Sequence, residues 1–273
     1  MIDPEKKFVA TNAGNIYYFS HFVSKDRPTV LLLHGLSSNH TTWLYLMDVL
    51  AKNNINSIAP DLRGHGYSDM SKKRSRYRIP ALRKDIELIM KNEGLKGAHL
   101  VGYSYGGYIG IDLAIANPPL VKSLVLISTN HVSPMKYSWL SFLSGSSYVF
   151  LNTLAYLLIW QKRKKYLYFE QNKSRGYWDS TFKGYLTMPL PVNFWMLSEV
   201  FRLNYAESLK NIACPTLILH GKGDIFISDR EIKDMADKIR NCRVVHLESG
   251  HFLASRYQEE VAEKTLQFVN QLR

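Results

Sequence analysis

Short apolar runs alternate with stretches of helical periodicity along most of this chain, and that alternation restricts the folds open to it. Thr29–Leu33 is continuously apolar and ends at His34-Gly35, which suits a strand buried on both faces. Residues 124–127 read the same way, and 55–60, 98–101, 216–219 and 244–247 read as further strands. Between them, residues 41–52, 79–92, 105–117 and 229–239 carry apolar positions at helical spacing, and a last helix starts near Gln258. Residues 8–23 predict two strands around the turn Asn12-Ala-Gly14-Asn15. Strand–helix alternation of this kind predicts a parallel sheet with helices on both faces. A chain of 273 residues fits one such domain, with room for an insertion.

The alternation breaks at about His131 and resumes near Thr216. Residues 131–210 therefore read as a helical insertion, and 1–130 with 211–273 as the sheet domain. The insertion holds 18 of the chain's 34 aromatic residues and a net charge of +6, more than a helix pair needs merely to cover its neighbours. Residues 137–161 carry no charge and could span a bilayer by length. A spanning helix there would put the two halves of one sheet on opposite sides of a membrane, so the segment is read as two apolar helices broken near Ser144-Gly-Ser-Ser147. The whole chain carries +12. Seven basic residues and no acid lie between Lys72 and Lys84, and Lys162-Arg-Lys-Lys165 is a second cluster. Such charge favours anionic partners, among them an acidic membrane surface. Nucleic acid is not expected, because no helix-turn-helix, zinc or RNA-binding motif accompanies the charge. Two cysteines, Cys214 and Cys242, are too few for a disulfide framework or a cysteine zinc site. With no apolar leader at the N-terminus, the expectation is a cytoplasmic protein. Asn39-His-Thr41 and Asn172-Lys-Ser174 then match the glycosylation triplet by coincidence.

The strongest chemical signal is Gly102-Tyr103-Ser104-Tyr105-Gly106, between an expected strand and an expected helix. A serine on so tight a turn is strained and lifted above the sheet, and the flanking positions must be small. A serine hydroxyl needs a base. Of nine histidines, His251 in Ser249-Gly-His251 follows the last strand and shares the strand-end rim with Ser104. His34 and His65 lie on that rim among glycines, where packing roles are expected, and His220 is a weaker competitor. An acid must orient the imidazole. Asp224 follows the strand 216–219, and Asp229 is the alternative five residues on. Oxyanion donors are expected from the backbone N–H of Tyr105 and, in the turn His34-Gly-Leu-Ser37, of Leu36.

His34-Gly35, Asp61-Leu-Arg-Gly-His-Gly-Tyr-Ser68, Gly102–Gly106, Gly221–Asp224 and Ser249-Gly-His251, in this order and spacing, resemble the motifs of the α/β-hydrolase superfamily. The resemblance is to its capped, esterase-like branch. It implies a mostly parallel eight-stranded sheet, an inserted helical cap at about 131–210, and a structural turn at 61–68 in which Asp61 and Arg63 tie loops together. Epoxide hydrolases and haloalkane dehalogenases of this superfamily carry an aspartate as nucleophile, so Ser104 points instead to acyl transfer. Gly-Tyr-Ser-Tyr-Gly also departs from the Gly-Gly-Ser-Trp-Gly of the proline iminopeptidases. The expectation is a serine hydrolase of medium-chain or lipid-like carboxylic esters, with Ser104, Asp224 and His251 as its triad and no cofactor or metal. Trp139, Phe142, Trp160, Tyr168, Trp178 and Trp195 are candidates for an apolar acyl pocket. A carbon–carbon bond or lactone hydrolase with the same triad is the enzymatic alternative; a hydrolase of an anionic ring-cleavage product would want a buried arginine near Ser104, for which Arg175 and Arg202 are available. A ligand receptor that keeps the fold without turnover is the non-enzymatic alternative.

Overall fold

The computed structural model describes residues 3–134, 136, 141–160 and 188–272. Eight strands form one sheet: β1 (Glu5–Thr11), β2 (Gly14–His21), β3 (Thr29–Leu33), β4 (Asn56–Pro60), β5 (Ala98–Tyr103), β6 (Val121–Ile127), β7 (Thr216–Gly221) and β8 (Cys242–Leu247). Their order is β1-β2-β4-β3-β5-β6-β7-β8. β1 pairs antiparallel with β2, and β2 antiparallel with β4; every other pairing is parallel. This is the expected mostly parallel sheet.

Alternate side chains of the central strands feed two separate cores, which is why these strands read as unbroken apolar runs. Val30 and Leu32 of β3 point to one face, with Val101, Val125, Leu217 and Leu219. There they meet α1 (Leu44–Lys52) and the C-terminal helix α8 (Gln258–Asn270) through Met47, Leu50, Val261 and Phe268. Leu31 and Leu33 point to the other face, with Leu100, Leu124 and Ile218. That side is covered by α2 (Ile79–Asn92), α3 (Tyr105–Ala116) and α6 (Asp229–Lys238), through residues such as Ile86, Ile109, Leu113 and Ile232. α3 is apolar nearly all round and correspondingly buried. α6 starts on a capping box, in which Ser228 and Glu231 satisfy each other's backbone N–H.

Two further helices lie within the stretch read as an insertion: α4 (Ser144–Leu157) and α5 (Leu190–Val200), which pack on each other. A short helix α7 (Leu253–Arg256) precedes α8. A helix boundary falls at the serine-rich stretch: a 3-10 turn at Ser141–Leu143 ends there and α4 begins. Ser144, Gly145, Ser146 and Ser147 form the first turn of α4, and Ser146 Oγ donates to the Leu143 carbonyl at 2.9 Å. Among the described residues no helix is long and apolar enough to cross a membrane.

The chain runs from β3 to β4 on one side and later returns to β5 on the other. The loops leaving β3 and β5 thus diverge at a switch in strand order, where parallel sheets open a crevice at their carboxyl ends.

Candidate active site

Ser104 is the first residue after β5 and the N-cap of α3, with φ +49° and ψ −113°. That conformation is costly for a residue with a Cβ, at about 1–3 kcal/mol, and must be imposed by its surroundings. The surroundings are visible. A Cβ at Gly102 would come within 2.6 Å of the Gly107 Cα, and one at Gly106 would land on the Leu33 carbonyl. The Ser104 amide donates to the Ile127 carbonyl at 2.8 Å, and its carbonyl accepts from Gly107 N–H at 2.9 Å. Thr129 Oγ1 lies 3.1 Å from the same carbonyl, a buttress without any signal in the sequence.

His251 follows β8 and reaches back to the turn. Its Nε2 is 3.2 Å from Ser104 Oγ and its Nδ1 is 2.8 Å from Asp224 Oδ2. A carboxylate only accepts, so Nδ1 carries the proton and Nε2 is free to accept from the serine hydroxyl. Asp224, after β7, has a fully buried side chain. Its other oxygen, Oδ1, accepts from the amides of Phe226 at 2.8 Å and Ile227 at 3.1 Å. Both carboxylate oxygens are therefore committed. Phe226, Phe252 and Tyr103 surround the imidazole, with ring centroids 5.1, 5.4 and 6.1 Å away.

The alternative acid, Asp229, lies elsewhere. Its carboxylate is 67% exposed and faces His246 at 3.2 Å and the buried His220 at 3.4 Å. His34 and His65 serve the turn. His34 Nδ1 donates to the Gly35 carbonyl and its Nε2 accepts from Leu62 N–H, while burial holds the imidazole down at about 4. Asp61 accepts from the amides of His40 and Tyr67 and pairs with His40 Nδ1 at 2.9 Å. Burial alone would raise this carboxyl, but His40 beside it brings it below the usual range. Arg63 grips Asp85 with two nitrogens and donates to the Ala13 carbonyl.

Gly35 passes against the nucleophile: a Cβ there would sit 3.5 Å from the Ser104 Cβ. Leu36 follows it, half-buried, and Tyr105 opens α3, so its amide is one of the helix's donors without an intrahelical acceptor. Ser37, next to Leu36, is held at φ +60° from two sides. Its amide donates to His65 Nε2 at 3.2 Å, and its Oγ accepts from Asn193 Nδ2 of α5 at 3.0 Å. Asn193 was not among the sequence candidates; a lone polar residue in the apolar stretch 190–197 was the available signal.

The aromatic residues expected to line an acyl pocket take different places. Trp195 has no exposed surface; it is stacked on Tyr77 at 5.4 Å and edge-on to Tyr156 at 5.8 Å, so it packs helices together. Phe142 and Trp160 are 71% and 80% exposed and face solvent. Trp139, Tyr168, Trp178, Arg175 and the cluster at 162–165 lie outside the described residues. Arg202 is exposed and stacked on Tyr148, so it is not a buried arginine beside Ser104. Among the described residues no group of histidines, cysteines and carboxylates is placed to hold a metal ion.

The family model for the alpha/beta hydrolase fold matches residues 28–255. Epoxide hydrolase 3 of Xenopus tropicalis is 28% identical over 247 residues, covering 81% of this chain and 65% of that one. This chain thus spans just under two thirds of that relative's length. An esterase from Exiguobacterium antarcticum superposes with a TM-score of 0.76 at 19% identity, over 97% of this chain and 100% of that one. The enol-lactonase from Burkholderia xenovorans LB400 gives 0.75 at 18%, over 97% and 100%. At such identities the two structures speak for the fold alone, and the family match is what places the chain: it belongs to the alpha/beta hydrolase fold family.

Proposed function

We propose that this chain is a serine hydrolase that cleaves carboxylic esters through an acyl-enzyme. The observation that carries this is the Oγ–Nε2 and Nδ1–Oδ2 pair of contacts, 3.2 and 2.8 Å, centred on His251 and meeting a strained serine. Ser104 Oγ attacks the ester carbonyl carbon while His251 Nε2 takes its proton. The Leu36 and Tyr105 amides hold the developing oxyanion, and Asp224 stabilises the imidazolium. The imidazolium protonates the departing alkoxide. Water then attacks the acyl-serine, with His251 again as base, and Ser104 leaves as the free hydroxyl.

Epoxide hydrolysis, the activity named for the frog relative, fits this nucleophile poorly. A serine that opened an epoxide would be left as an ether, which has no carbonyl carbon for water to attack. An ester, thioester or lactone gives an acyl-serine that water can release. The alternative of a carbon–carbon bond or lactone hydrolase uses the same three residues and is separated by substrate. The apolar rings around His251, with Ile225 87% exposed beside them, favour an apolar acyl group.

The test is a panel of nitrophenyl esters, lactones, diketones and epoxides with purified protein and Ser104→Ala. Ester cleavage lost in Ser104→Ala, together with fluorophosphonate labelling of Ser104 alone, supports the reading. kcat/KM should rise from acetate to hexanoate by up to about fourfold per methylene, from about 0.8 kcal/mol of burial each. Epoxide turnover, or ester cleavage that survives Ser104→Ala, refutes it.

A further inference from the structure

On the described surface, cations and apolar side chains crowd together between the segment at 72–78 and α4. Lys72, Lys73, Arg74, Ser75, Arg78 and Tyr156 line a shallow cavity of about 390 Å³. Arg74 is committed: it pairs with Glu199 at 2.8 Å and stacks on Tyr148. Among the described residues no carboxylate lies within ion-pair distance of Lys72, Lys73 or Arg78, and all three are exposed. Three cations without a carboxylate partner among the described residues, around an open cavity with a serine beside them, form a site for an oxyanion such as a phosphate ester.

An apolar stretch adjoins the cavity through Tyr156. Phe142, Val149, Phe150, Tyr156, Leu157 and Trp160 are each more than half exposed. They are six of the eleven large apolar side chains that the described residues leave exposed, all within 19 positions, so the patch is concentrated and not scattered. Four of them lie on α4, and Tyr156 belongs to both features. Lys72 Nζ sits 4.9 Å over the Trp160 ring, which joins them on the other side.

We propose that this face docks on an anionic phospholipid bilayer, with Lys72, Lys73 and Arg78 on lipid phosphates and the exposed side chains of α4 in the interfacial layer. An apolar helix face bordered by cations and an aromatic ring is the composition that binds such a surface. A second copy of the chain fits less well, because a two-fold contact would press the cations of one face against those of the other. Nucleic acid would meet the cations but gains nothing from Val149 and Leu157, which cannot stack. The basic segment follows β4 and α4 follows β6, so both leave the sheet at the strand ends where Ser104 stands. Docking would therefore bring that rim to the lipid. If the ester reading holds, the natural substrates are acyl esters drawn from the bilayer.

Co-sedimentation of the full chain with phosphatidylcholine vesicles and with equimolar phosphatidylcholine–phosphatidylglycerol vesicles tests this. Two variants accompany it: Lys72→Gln/Lys73→Gln/Arg78→Gln and Val149→Ser/Leu157→Ser. Binding should require the anionic lipid. It should fall on the order of 100-fold in the charge variant, from about fivefold per cation, and weaken in raised salt. The apolar variant should also bind less, and both should keep the unmodified chain's hydrolysis of a short soluble ester. Vesicle binding undiminished in both variants overturns the proposal. So does duplex DNA binding without vesicle binding, or an oligomer abolished by Val149→Ser/Leu157→Ser. Docking without ester cleavage would remove the catalytic reading and leave the surface; cleavage without docking would do the reverse.

Discussion

Replacing Asp224 by asparagine separates the proposed mechanism from a merely structural contact. The carboxylate's Oδ1 takes two backbone N–H groups, from Phe226 and Ile227, and Oδ2 takes one from His251. An asparagine amide has one oxygen for these three donors. If its NH2 faced Phe226 and Ile227, two backbone donors would be orphaned, at about 1–3 kcal/mol each. The cheaper arrangement keeps the oxygen there and turns the NH2 toward His251. Nδ1 must then accept, the imidazole proton moves to Nε2, and Ser104 faces a donor where it needs a base. The expected outcome is a normally folded enzyme whose kcat falls by about 10³–10⁴, or roughly 4–5.5 kcal/mol of barrier. Steady-state hydrolysis of a soluble ester, read beside the melting temperature, measures both. Asp229→Asn is the control and should stay within a few-fold of the unmodified enzyme, since Asp229 contacts His220 and His246 instead. Folded Asp224→Asn with near-normal kcat, or collapse in Asp229→Asn, would show that the wrong acid has been chosen.

Two further outcomes concern the scaffold. His34 is buried neutral and held down at about 4, so the unfolded chain takes up its proton first as pH falls from about 6.5. Its contribution, about 3 kcal/mol, is fully present above pH 6.5 and is lost on the way down to pH 4. Urea midpoints across that window should fall less steeply in His34→Gln, and identical slopes would count against this account. Gly106→Ala pushes a methyl group onto the Leu33 carbonyl, backbone that cannot swing aside. It should cost at least about 1–3 kcal/mol in urea unfolding, and a change under half a kilocalorie would refute the packing argument.

Much of this molecule was legible in one dimension because its signals are local. A strand buried on both faces is largely apolar, so β3 announced itself as an unbroken run, and α2 was delimited at 79–92 as the structure has it. The strained turn at Ser104 needs small neighbours whatever lies beyond it, which made Gly102 and Gly106 informative. Rim position helped bring forward His251 and Asp224, since strands that run parallel deliver their following loops to one edge, while the glycine-rich settings of His34 and His65 on the same rim marked them for packing. What the chain could not announce were contacts between segments far apart in sequence. Asn193 reaches Ser37 across 156 positions, and Thr129 buttresses Ser104 across 25. Aromatic content in the insertion carried no direction: Trp195 turned inward between two tyrosines, while Phe142 and Trp160 turned out. The sequence preferred Asp224 to Asp229, and the return of β8 brings His251 to the preferred acid. Periodicity and turn chemistry act over a few residues and are written into the chain directly. Side-chain direction and pairing depend on which elements the folded core brings together, and that was decided in three dimensions.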